Sequence, residues 1–175
     1  MIKNEFINKM SPQMRSILFI IILIIIGFII GQIIGYISGS YLIENIESGE
    51  YYPPPPNPDF KLTTEQISQI ISGYTIITSI LCVNIALLFG LIYVFINTYL
   101  KIKSNYLIGF VIFVGVFLIK SISNLIALTH LISEPIRAAP LAIDPLLKGI
   151  YGPFGSYFTI FEIIAICILI YLSRE

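Results

Sequence analysis

The chain has 175 residues, of which 57% are hydrophobic and only 11% are charged, and its formal net charge is zero. A water-soluble domain keeps about a quarter of its residues charged, so this composition excludes an ordinary soluble domain and indicates a protein that lies in lipid. The balanced charge, with no basic cluster interleaved with aromatic residues, argues against a nucleic-acid partner.

Four apolar segments are long enough to cross a bilayer, for which a helix needs about 20 mostly apolar residues. They cover residues 16–43, 74–100, 105–132 and 156–173. The first follows basic residues, as a cleavable signal would, but a signal core is only about 7–15 residues long. This run carries no charge from Ser16 to Ile43. We therefore predict one all-α integral membrane domain over residues 1–175, with four transmembrane helices.

The basic residues predict how this domain is oriented, because cytoplasmic flanks collect Lys and Arg. The N-terminal segment, the turn KIKSN and the C-terminus together carry Lys3, Lys9, Arg15, Lys101, Lys103 and Arg174. The opposite side carries more acidic than basic residues. We predict a protein of the cell membrane with both termini in the cytoplasm.

Two long outer connections follow from this topology, at residues 44–73 and 133–155. In the first, YYPPPPNP is typical of a short polyproline II spacer. The following TTEQ predicts a helix start, with Thr63 as the cap and Gln66 three residues on. Either the second helix begins outside the bilayer, or a short interfacial helix leads into it at Gly73. The second connection is apolar and rich in proline, so it lies on the outer membrane surface or, alternatively, is a re-entrant pore-lining loop.

Small residues recur on the first two spans at helical spacing. The first span has a glycine at every fourth position, and such a ladder predicts a close helix–helix contact, within the chain or with a second copy. We expect it to hold the third helix. One face of the second span carries small residues as well. The predicted packing positions are Gly27, Gly31, Gly35, Gly39, Ser79, Ala86 and Gly90.

The third span carries a polar stripe formed by Lys120, Ser123, Asn124, Ala127 and His130. Ionisable residues at membrane depth are costly and face a bundle interior or a watery cavity. A structural role for Lys120, bonded to side-chain oxygens and helix carbonyls, and a functional role are both open. Asn84 of the second span points away from the small-residue face. It predicts either that this helix is contacted on both sides or that Asn84 faces another chain.

The buried carboxylate Glu162 is the obvious partner for Lys120, but side chains on a helix lean toward its N-terminus. The third and fourth helices run in opposite directions, so we expect Glu162 to pair with His130. Lys120 is then expected to lie near Gln32 or Asn84, which have a similar depth.

The sequence contains no recognisable catalytic or metal motif. Cys82 and Cys167 lie in hydrophobic runs and read as packing residues. His130 and Glu134 have helical spacing, but a zinc site needs three or four ligands, and no GxSxG, HExxH, P-loop or GxGxxG is present. We predict no enzyme, no metal and no cofactor.

The hairpin from VNIALLFG to SISNLI places two apolar helices around the basic turn YLKIKSN. This segment resembles small archaeal multi-pass membrane proteins of unknown function. The resemblance implies an archaeal membrane protein and transfers no activity.

Our leading hypothesis is a non-enzymatic membrane protein that works through helix contacts, as a structural, assembly or sensory subunit. Its partners would be the lipid bilayer and other membrane subunits or a second copy. The alternative is a small oligomeric channel or proton path that uses Lys120, Asn124, His130 and Glu162. An intramembrane enzyme is a third hypothesis.

Overall fold

The computed structural model describes residues 12–47, 63–133 and 153–173, and these residues form four helices with no strand among them. The helices are α1 (Pro12–Glu47), α2 (Thr64–Ile102), α3 (Asn105–Ser133) and α4 (Pro153–Ser173). Among the residues that the structure describes, three stretches are long and apolar enough to cross a membrane: Gln13–Glu44, Thr64–Ile102 and Tyr106–Thr129. The apolar stretch of α4, Tyr157–Leu172, is shorter. The all-α class predicted from the sequence is confirmed.

At the first connection, predicted at residues 44–73, the end of α1 and the start of α2 differ from the prediction. α1 runs on to Glu47, and α2 is one continuous helix from Thr64, so a separate interfacial helix ending at Gly73 is wrong. The proline spacer lies outside the described residues. The predicted connection 133–155 also lies outside them, apart from the last residue of α3 and the first three residues of α4.

The start of α2 is the capping box that TTEQ predicts. The Thr63 hydroxyl oxygen accepts a hydrogen bond from the Gln66 backbone N–H at 3.3 Å. In return, the Gln66 side-chain oxygen accepts from the Thr63 backbone N–H at 3.0 Å. These two bonds satisfy backbone donors that the first turn of a helix cannot pair internally.

A two-residue turn joins α2 to α3 and makes them antiparallel. Lys103 adopts a left-handed conformation, with φ of 52°, and its backbone N–H donates to the Tyr99 carbonyl at 2.8 Å. This is a common way to end a helix, because it pairs a carbonyl that the last turn leaves free. The predicted tight turn therefore fixes α3 beside α2.

The other three helices all pack against α2, which is the centre of the bundle. Leu87, Leu88 and Leu91 of α2 are almost fully buried, and they lie in one cluster with Val114 of α3 and Ile170 of α4. α1 exposes a broad surface of Ile side chains instead. Because α3 and α4 both rest on α2, a groove remains between them.

Candidate functional site

The glycine ladder of α1 brings the backbones of α1 and α2 into direct contact. A Cβ atom at Gly27 would lie 2.7 Å from the Val83 Cα, which is closer than real Cβ contacts. The α2 residue whose Cα meets such an atom is Val83 for Gly27, Ser79 for Gly31, Thr75 for Gly35 and Ile71 for Gly39. The ladder thus packs within the chain and against α2, and the expectation that it holds the third helix is wrong.

The small-residue face of α2 explains why α2 is the helix that packs against the glycine ladder. Side chains as small as that of Ser79 leave room for a glycine backbone. Further along, Gly90 of α2 receives the side chain of Leu23 from α1. Gln32 Nε2 also donates a hydrogen bond to Ser79 Oγ at 3.1 Å across this contact. Ala86 lies on the same helix and is partly buried.

On its other side, α2 presents a buried amide to α3. Asn84 Nδ2 donates to Ser121 Oγ at 3.1 Å, and the two residues are 1% and 2% exposed. Asn84 Oδ1 is buried and has no hydrogen-bond partner among the described residues. α2 is therefore contacted on both sides, which is one of the two alternatives that the position of Asn84 predicts. Ser121 was not among the residues predicted from the sequence, although it stands next to Lys120.

Lys120 and Glu162 form an ion pair between α3 and α4. Lys120 Nζ lies 3.2 Å from Glu162 Oε2, so the prediction that these two residues do not pair is wrong. Neither Gln32 nor Asn84 takes the predicted place beside Lys120, since their partners are Ser79 and Ser121. The Lys120 side chain is 53% exposed on the surface of the bundle, whereas that of Glu162 is 12% exposed.

The register of α3 against α4 explains this correction. Phe113 and Phe117 line one cavity together with Ile166 and Leu169. α3 and α4 are therefore antiparallel, and the residues that precede Lys120 on α3 lie beside the residues that follow Glu162 on α4. The 3.2 Å contact places Lys120 and Glu162 at a similar depth, so the opposite lean of the two side chains does not keep them apart. The prediction gave this lean too much weight and placed Glu162 at a different depth from Lys120.

The surroundings of the pair are apolar. Lys120 Nζ lies 5.6 Å from the centroid of the Phe117 ring, which is within cation–π range. Glu162 Oε1 is buried without a hydrogen-bond partner in the described part of the chain. Glu162 also borders a cavity of about 110 Å³ between α2, α3 and α4, whose other lining residues are all apolar. The channel hypothesis requires a wetted cavity between the third and fourth helices, and it stays a prediction.

An exposed stripe of residues on α3 includes Lys120, and we call this stripe the α3 seam. Its members recur at alternating steps of three and four residues, the spacing at which one helix presents a straight edge to another. They are Tyr106, Gly109, Phe113, Val116, Lys120 and Ser123, all exposed. The polar end of this stripe, Lys120 and Ser123, was predicted from the sequence, whereas its aromatic and glycine positions were not, although their spacing was visible.

A second exposed edge of α3 is purely aliphatic. Ile112, Ile119 and Ile126 are 64%, 66% and 50% exposed, and they lie seven residues apart. We call them the isoleucine edge. The two edges differ in chemistry, because one holds a cation, a hydroxyl, a glycine and aromatic rings while the other holds only Ile.

The remaining predicted polar residues lie toward the C-terminal end of α3. Asn124 is partly buried there. His130 belongs to the helix, but its side chain lies outside the described part of the structure, as does Glu134. Within residues 12–47, 63–133 and 153–173, no group of three or more His, Cys, Asp and Glu side chains could hold a metal ion.

These features define an all-helical protein whose helices pack around α2 and which carries a Lys–Glu pair at its surface. Residues 74–174 match the family described as Family of unknown function (DUF8036), and the chain belongs to this family. The match covers both polar pairs that join α2, α3 and α4, whereas the glycine ladder of α1 lies outside it. No curated protein and no solved structure matches the chain. The resemblance to archaeal proteins stays a prediction.

Proposed function

We propose that this chain is an integral membrane protein that acts as a non-enzymatic subunit of a membrane assembly, through helix contacts made by α3. The length and apolar character of α1, α2 and α3 support insertion into a bilayer. The basic residues favour an orientation with both termini and the Lys101–Lys103 turn in the cytoplasm of the cell. The hairpin resemblance favours an archaeal cell membrane.

The observation that carries this proposal is the exposure of Lys120. It lies near the middle of α3, and its side chain is 53% exposed although it is paired with Glu162. A cation that faces hydrocarbon at such a depth is unfavourable by at least about 2.5 kcal/mol. Each end of α3 is about 20 Å away at 1.5 Å per residue, so the side chain cannot reach the membrane surface. A protein partner that covers Lys120 removes this cost.

The contrast between the two edges of α3 supports the same conclusion. The isoleucine edge offers lipid nothing but aliphatic carbon. The α3 seam adds a hydroxyl at Ser123 and a glycine at Gly109, and small and polar residues are the ones that membrane helices use to associate. The seam is therefore the proposed contact surface, and the isoleucine edge faces lipid.

Photo-crosslinking in native membranes tests the proposal. A photoreactive phenylalanine analogue replaces Val116 in the α3 seam or, as a matched control, Ile119 in the isoleucine edge; these residues are 60% and 66% exposed. We expect protein adducts of discrete mass from position 116 and lipid adducts from position 119. Lipid adducts alone from both positions would overturn the proposal.

A further inference from the structure

α4 carries an exposed stripe with the same spacing as the α3 seam. Its members are Phe158, Phe161, Ala165, Ile168 and Leu172, and again the steps alternate between three and four residues. All five are exposed, and Phe158 and Phe161 are 70% and 68% exposed. We call this stripe the α4 seam. The bundle therefore presents two straight helix edges, one on each side of the groove between α3 and α4.

The two seams border the groove between α3 and α4. Phe113 and Ala165 belong to the seams and also line the cavity in the groove. At 100° per residue, the other residues of the α3 seam lie within about 80° of Phe113, and those of the α4 seam lie within about 60° of Ala165. If a second groove faces the first across a two-fold axis, α3 of each copy meets α4 of the other.

The register gives an independent check on this arrangement. Two copies inserted in the same orientation are related by an axis along the membrane normal, so α4 of each copy lies at the same depth. Each residue of α3 must then face the same residues of α4 in the other copy as lie at its depth on α4 of its own chain. Within the chain, Lys120 pairs with Glu162. Aligning the two seams places Lys120 opposite Phe161, one residue or about 1.5 Å from that register.

Side-chain sizes complement each other at the two ends of this alignment, where Ser123 faces Phe158 and Gly109 faces Leu172. Between the ends, two pairs of large side chains, Lys120 with Phe161 and Phe113 with Ile168, stand on either side of the smaller pair Val116 and Ala165. Alternation of large and small residues lets two helix edges interdigitate without voids.

Charges also complement each other. In the facing arrangement, the Lys120 and Glu162 side chains of the two copies would alternate in sign around the two-fold axis, and each Lys120 would lie opposite Phe161 of the other copy. A contact of α3 with α3 would instead bring Lys120 against Lys120, which is repulsive. Charge therefore favours an arrangement in which a second copy meets α3 with its α4 and not with its α3.

We propose that the partner that covers Lys120 is a second copy of this chain, docked groove to groove so that the α3 seam of each copy packs on the α4 seam of the other. This inference rests on the proposed function and adds the identity of the partner and the register. The glycine ladder takes no part in the contact, because α2 of the same chain already covers it.

Disulfide crosslinking between two differently tagged copies tests the inference in native membranes. One copy carries Val116→Cys and the other carries Ala165→Cys. The matched controls pair Val116→Cys with Ile164→Cys, on the neighbouring face of α4, and with Leu172→Cys, two turns out of register. The wild-type chain gives the baseline, since Cys82 is buried and Cys167 partly buried. A disulfide forms only when the two Cα atoms lie within about 7 Å.

We expect a disulfide that joins the two tags for positions 116 and 165, at a yield several times that of either control. Equal or higher yield with Leu172→Cys would overturn the register. If no tagged pair forms while a photo-crosslinker at Val116 captures a different protein, the second copy is the wrong partner and the proposed function stands. If position 116 captures lipid alone, both proposals fail.

Discussion

Gly31 of α1 and Ser79 of α2 lie so close together that a Cβ atom at position 31 would overlap the Cα of Ser79. Backbone atoms cannot yield as a flexible side chain does, so a larger residue at position 31 must push the two helices apart. The same overlap occurs at Gly27 and Gly35 and is relieved at Gly39, where a Cβ would lie 3.2 Å from the Ile71 Cα. The interface of α1 with α2 is therefore sensitive to the smallest substitution at the first three glycines.

We expect Gly31→Ala to lower the free energy of unfolding in detergent by about 1–3 kcal/mol, the range for overpacking a close contact. Gly115 is the control, because no atom lies within 4 Å of a Cβ built there. Gly115→Ala should leave stability unchanged or raise it by about 0.5–1 kcal/mol, since alanine favours a helix over glycine. Equal effects at the two positions would contradict the packing of the ladder.

The hydrogen bond between Asn84 and Ser121 predicts a coupling between α2 and α3. Ser121→Ala leaves the buried Asn84 amide without its acceptor, so we expect a loss of about 1 kcal/mol in the free energy of unfolding. A double-mutant cycle with Asn84→Ala should give a coupling of about 0.6 kcal/mol, the average for membrane helices. Ser72→Ala, which alters an exposed hydroxyl that donates to the Gln69 carbonyl within α2, serves as the control. A coupling of zero would show that the bond contributes nothing.

Local features of this fold could be predicted from the sequence because they depend on neighbouring residues. Thr63 and Gln66 predict the start of α2, and KIKSN predicts the turn to α3, since capping and turn formation need only a few residues in succession. The glycine spacing likewise predicts a close contact of α1 with another helix.

The partner of each helix face could not be predicted in the same way. Which helix covers the ladder depends on the rotation of α2, and which side chain meets Glu162 depends on the sliding of α4 along α3. Lys120 and the predicted partner, His130, stand ten residues or about 15 Å apart along α3, and the slide of α4 decides which of them Glu162 meets. The apolar composition of these spans does not specify that slide, because Ile and Leu residues pack in many registers.

The ion pair predicts that substitutions of Lys120 and of Glu162 lower the free energy of unfolding by unequal amounts. Lys120→Met leaves the Glu162 carboxylate without its donor in apolar surroundings, and we expect a loss of about 1–3 kcal/mol in the free energy of unfolding. Glu162→Gln keeps an acceptor for Lys120 and should cost less. The double variant Lys120→Met/Glu162→Leu removes both charges and should recover part of the loss. A double variant that is less stable than Lys120→Met would contradict this account of the pair.

The proposed orientation predicts which end of α2 is accessible from outside the cell. A membrane-impermeant thiol reagent should label Thr64→Cys in intact cells, whereas Lys101→Cys should react only after the membrane is permeabilised. Both side chains are exposed in the structure, so accessibility depends on the side of the membrane. Labelling of Lys101→Cys in intact cells, with Thr64→Cys protected, would reverse the topology.

The central claim is that protein, and not lipid, covers the α3 seam in the membrane. Nitroxide labels at Phe113→Cys and Val116→Cys, compared with Ile112→Cys and Ile119→Cys, report the collision rate with lipid-soluble oxygen at matched depths. All four side chains are well exposed in the isolated bundle. We predict that collision rates in native membranes are severalfold lower at positions 113 and 116 than at positions 112 and 119. Equal collision rates on the two edges would contradict the claim.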